Sequence, residues 1–95
     1  MRVEAAKLIL RLPHTTSLKD KRRILKSLIA KFQQDFRVSI AEVDQLDDFH
    51  AAVLGVAFVS NDPKLNENIF GRLLAVIEEH SEIVLDDHER DYLSL

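Results

Sequence analysis

Cysteine is absent from the 95 residues. That excludes a disulfide framework, a thiolate zinc site, a thiol nucleophile and iron–sulfur ligation. Proline and glycine are scarce, at two each, which leaves little room for an interdomain linker or a low-complexity segment. Residues 1–95 therefore read as a single domain with one core between two layers and a radius of gyration of about 12 Å. The longest run without a charge, Phe49 to Asn61, is far short of a membrane span. Arg2, Glu4 and Lys7 near the start do not fit a secretory signal. A soluble, cytoplasmic protein without membrane contact is the resulting expectation.

What is present is a pronounced imbalance of charge. The net charge is only -3, yet residues 1–37 hold ten Lys and Arg against three Asp and Glu, a balance of +7. Residues 38–95 hold three against thirteen, a balance of −10. Such polarity points to an acidic partner for the first half or to association of unlike faces.

Residues 3–12 alternate, with Ala6, Leu8, Leu10 and Leu12 on one face, and predict a half-buried strand. Ser17, with Asp20 three residues on, marks a helix start. The helix should run from Leu18 to about Asp35 with Leu18, Leu25, Leu28, Ile29, Phe32 and Phe36 as its apolar stripe. Residues 37–44 read as a second strand. Residues 51–60, apolar on both faces, read as a central third strand. Asp62 caps a second helix that begins at Pro63 and carries Leu65, Ile69, Leu73, Val76 and Ile77. Residues 82–92 have weak strand character and turn acidic. The order β-α-β-β-α-β predicts the α+β ferredoxin-like fold, a four-stranded antiparallel sheet with both helices on one face. The other face is left open and mostly apolar, which predicts homo-oligomerisation through the face or an edge. Ile9, Val43, Val53, Ala57 and Val59 are the interface candidates, unless Tyr92 to Leu95 fold over them.

The sharpest chemical feature is the start of the first helix. At about 100° per residue, Arg22, Arg23 and Lys26 lie within about 60° of Lys19. Cations at a helix N-terminus oppose the macrodipole, and an anion there would reverse the penalty. Ser17, Lys19, Lys21, Arg22, Arg23 and Lys26 are thus candidate phosphate contacts, although Lys21 points into the apolar arc. RNA, a ribosomal particle or a phosphorylated small molecule would supply the phosphate. No strand offers the exposed aromatics of a base-stacking RNA domain, so any RNA would be read by backbone and shape. Asp44, Asp47, Asp48 and His50 form an oxygen-rich connector without the spacing of a calcium loop. No catalytic motif appears, and a non-enzymatic protein without cofactor or metal is expected.

Four motifs in order carry a family resemblance: Ser17-Leu18-Lys19-Asp20-Lys21-Arg22-Arg23, Val38-Ser39-Ile40-Ala41-Glu42-Val43-Asp44, Leu54-Gly55-Val56-Ala57 and Val59-Ser60-Asn61-Asp62. The set resembles the YlxP-like family, small bacterial proteins of unknown function. The resemblance implies a ferredoxin-like fold, and no established activity or catalytic residues to carry over. Genes of that family tend to lie near those for transcription, translation-initiation and ribosome-maturation factors, which favours an RNA or ribosomal partner. Two features depart from the family: relatives often carry a tryptophan in the connector after the second strand, where Phe49 is the only aromatic nearby, and Ile83 to Tyr92 is unusually acidic.

Overall fold

A computed structural model describes Met1 to Leu95. Its elements are β1 (Arg2–Arg11), α1 (Leu18–Asp35), β2 (Ser39–Asp44), β3 (Ala51–Ser60), α2 (Pro63–Glu78) and β4 (Val84–Ser94). The sheet order is β2-β3-β1-β4 and every pairing is antiparallel. This is the ferredoxin-like α+β arrangement. The molecule is elongated, 42 × 22 × 21 Å with a radius of gyration of 13.4 Å. A ten-residue strand alone spans about 33 Å.

Alternation along β1 and β3 builds one core. Ala6, Leu8 and Leu10 of β1 and Ala52, Leu54, Val56 and Phe58 of β3 meet Ile24, Leu25, Leu28 and Phe32 of α1 and Phe70, Leu73 and Ile77 of α2 in one buried cluster. Both helices therefore cover the same face. The opposite face has no covering layer.

The predicted limits of α1 and β3 agree with the structure, while β2 starts at Ser39 and the last strand runs from Val84 to Ser94. The buried line of α2 is Asn66, Phe70, Leu73 and Ile77, while Leu65 is exposed. The helix is turned so that Phe70 packs on Phe58, with ring centroids 5.4 Å apart, and the Asn66 amide reaches the carboxylate of Glu4 at 2.9 Å. Glu4 follows the parity of the core residues of β1 and is itself buried, with Arg2 Nε also donating to it at 2.9 Å.

The acidic C-terminal segment forms a complete edge strand paired with β1 from Arg2↔Ser94 to Arg11↔Val84. Tyr92 to Ser94 lie in that strand and do not cover the open face. Charge on an edge strand discourages pairing with other chains. Between Ile9 and Leu10 the register slips: Ile9 faces Asp87, Leu10 faces Leu85, and Asp86 is the extra residue of a bulge. The Asp86 side chain accepts from Arg11 Nη2 at 3.0 Å.

Candidate functional site

The start of α1 is built by its own sequence. Ser17, with extended backbone, accepts at Oγ from Asp20 N at 3.0 Å. Asp20 Oδ2 accepts in return from Thr16 N at 3.3 Å. This reciprocal capping satisfies two backbone donors and places a carboxylate of the chain itself at the positive end of the helix. Ser17 is therefore a cap, with its oxygen committed inside the molecule.

The six candidate residues separate into distinct roles. Lys21 is fully buried, which removes it from the set of phosphate contacts. Its Nζ donates to the carbonyls of Gln45 at 2.9 Å, Asp48 at 2.6 Å and Ala51 at 3.0 Å. Those three bonds use all three ammonium protons. Glu42 Oε2 lies 2.7 Å away and balances the charge as an ion pair, without hydrogen-bond geometry. The apolar arc and this carbonyl cage together hold the side chain inward.

Arg23 is drawn to Asp20 at 2.8 Å and lies 3.7 Å from Glu82. The hydrogen bond to Asp20 raises the Arg23 guanidinium above its ordinary value. The same pair, with the Thr16 amide, holds the Asp20 carboxyl below the usual carboxylate range. Lys19, Arg22 and Lys26 remain: all three are exposed, and none has a carboxylate within 4.0 Å. Their spacing of three and four residues puts them on one helix face over about 10 Å.

The connector Gln45 to His50 is fixed from two sides. Lys21 holds it from α1. From the end of β1, Leu12 N donates to His50 O at 2.8 Å, and the Thr15 hydroxyl lies against the carbonyls of Leu12 and Phe49. His50 Nε2 is 2.9 Å from Thr15 O, and Asp48 Oδ1 accepts from His50 N at 2.8 Å. Asp44, Asp47, Asp48 and His50 are not brought together as a ligand group. His80, near the end of α2, accepts at Nδ1 from Glu82 N at 3.1 Å in the turn that follows the helix.

The five interface candidates all belong to the open face, with unequal exposure. Val43 and Val59 are exposed at 50% and 64%, and Ala57 and Ile9 are partly covered. Val53 retains only 9%, between its neighbours Ile9 and Asp44, and is too covered to serve as a contact. No helix is long and apolar enough to cross a membrane.

The fold and these placements define a small ferredoxin-like α+β domain with a capped basic helix on one side and a bare sheet face on the other. The chain belongs to the family described as "Protein of unknown function (DUF503)", whose model matches residues 3–90. It is 37% identical over 67 residues to the uncharacterized protein YlxP of Bacillus subtilis (strain 168), covering 70% of this chain and 73% of that one. Among solved structures it is similar to the de novo designed protein Foldit4, with a TM-score of 0.57 and 13% identity over 100% of this chain and 99% of that chain. That likeness concerns the fold alone.

Proposed function

We propose that this protein is a non-enzymatic accessory protein that binds the phosphate backbone of structured RNA, in a ribosomal particle or free, through the outer face of α1. The observation that carries the reading is the row of Lys19, Arg22 and Lys26, exposed and without carboxylate partners on one helix face. Three cations held on a rigid helix match a polyanion whose charges repeat in space. The capped helix start disfavours a small phosphorylated ligand there, since Asp20 already occupies the positive end. Binding of this kind follows backbone and shape, with no base stacking.

The test is binding of the purified protein to a structured RNA hairpin and to small ribosomal particles at 50 and 200 mM salt. Three phosphate contacts predict a fall in affinity of about 20- to 40-fold over that range. The variant Lys19→Glu/Arg22→Glu/Lys26→Glu, with an unchanged circular dichroism spectrum, should lose binding. Absence of wild-type binding at 50 mM salt, or binding that ignores salt, overturns the reading.

A further inference from the structure

The open sheet face carries a shallow groove, floored mostly by small side chains, with Lys7 among its lining residues. Ala5, Ala41, Gly55 and Ala57 lie beneath a groove of about 640 Å³, bounded by Val43 on the β2 side and by Glu89 and Asp91 on the β4 side. Gly55 sets the shape of one wall. A Cβ at that position would lie 2.9 Å from Val43 Cγ1, so Val43 leans over a space that only glycine leaves free. Beyond Ala57 and Ala5 the apolar surface continues as one row across three strands: Val59 is paired with Val3, and Val3 with Leu93.

The charge on this face is one-sided. Asp87, Glu89 and Asp91 are register partners of Ile9, Lys7 and Ala5, which places them on the open side of β4. All three are exposed, and none forms an ion pair. Asp44, Asp47 and Asp48 add negative charge where the connector leaves β2. Lys7 is the one cation of the face outside an ion pair, since Arg11 is bound to Asp86.

We propose that this groove is the docking site for a basic amphipathic helix of a partner protein. Two copies meeting on this face would duplicate its acidic charge, whereas a basic partner would offset it. A helix is convex, about 10 Å across, and can lay small apolar residues on the alanine and glycine floor while its lysines or arginines reach Glu89 and Asp91. The proposal uses no residue of α1. It goes beyond the RNA reading and stands or falls separately from it. Together the two surfaces would let one small domain hold RNA on its helical side and a basic protein segment on its sheet side.

The experiment titrates an 18-residue amphipathic helical peptide, lysine on one face and alanine and leucine on the other, into ¹⁵N-labelled full-length protein. The expected result is amide shifts centred on Ala41, Gly55 and Ala57. Affinity should drop at least tenfold in Glu89→Gln/Asp91→Asn, whose changes lie at exposed positions of an edge strand, and in Ala57→Lys, which fills the floor. Melting temperatures of both variants report that they fold. Three results overturn the proposal: no shifts on the open face, equal binding of a scrambled peptide of the same composition, or a micromolar dimer by light scattering that Ala57→Lys dissociates. The last would make a second copy the occupant.

Discussion

Lys21 Nζ lies 2.7 Å from Glu42 Oε2, joining α1 to β2 through an ion pair from which the lysine has no access to water. The same ammonium bonds three carbonyls of the β2–β3 connector, so one side chain fixes helix, edge strand and loop relative to one another. Removing one partner of such a set leaves the others desolvated and unpaired.

Lys21→Met is therefore expected to cost about 3–5 kcal/mol in urea unfolding, although it leaves an apolar side chain of similar length. Amide exchange should accelerate across residues 45–51 before it does elsewhere. The double variant Lys21→Met/Glu42→Gln should recover part of the loss, because the stranded carboxylate is then neutral. Wild-type stability for Lys21→Met would mean that the cage contributes nothing to the fold.

Gly71 lies inside α2, and a Cβ there would meet nothing within 4 Å. No close packing requires the glycine, so its conformational cost in the helix is uncompensated within the chain. Gly71→Ala should stabilise the protein by about 0.5–1 kcal/mol, raising the melting temperature by a few degrees. A fall in melting temperature would show that the position is constrained in a way the helix does not reveal.

Arg90 stacks over the Phe70 ring at 3.8 Å and bonds both oxygens of Glu67. Hydrogen bonding and charge from Arg90 hold the Glu67 carboxyl below its usual range. A carboxyl depressed in the folded state contributes stability above its unfolded pKa and loses it as pH falls through the folded one. The stability difference between wild type and Glu67→Gln should be largest near neutrality and close as the pH drops below about 4. Glu67 is 70% exposed, so the difference should be small and should shrink in high salt. A difference that persists unchanged in strong acid would assign it to packing.

Alternation and caps made much of this architecture legible. β3 is apolar on both sides and bounded by polar turns, and α1 is announced by Ser17 and Asp20, so both were readable to the residue. The inward direction of Lys21 followed from its angle on the helix. Its partners did not, because backbone carbonyls leave no mark in a sequence and the connector has to fold back before they exist. Ile24, buried on α1, escaped the predicted stripe, and Asn66, buried on α2 while Leu65 is exposed, bonds a Glu4 across the layer that no local pattern announces. β4 was obscured by its acids. An edge strand exposed for most of its length is chosen for charge more than for apolar alternation. At the basic helix, charge and periodicity located the cluster but not which cations were already spent: Arg23 pairs with Asp20 on its own helix, while Lys21 is held by carbonyls and a Glu42 distant in sequence.

The bulge at Asp86 gives β4 two phases. Leu85 faces the core opposite Leu10, while Asp87, Glu89 and Asp91 face the open side, and residues of equal parity occupy opposite faces only because one residue is inserted between them. Deletion of Asp86 would force a choice between turning Leu85 out to water and turning three carboxylates into the core. Asp86→Ala keeps the spacing and loses only an exposed contact with Arg11. Thermal unfolding should place that substitution near wild type and the deletion far below it. Across relatives, this strand should therefore vary in residue identity far more freely than in length.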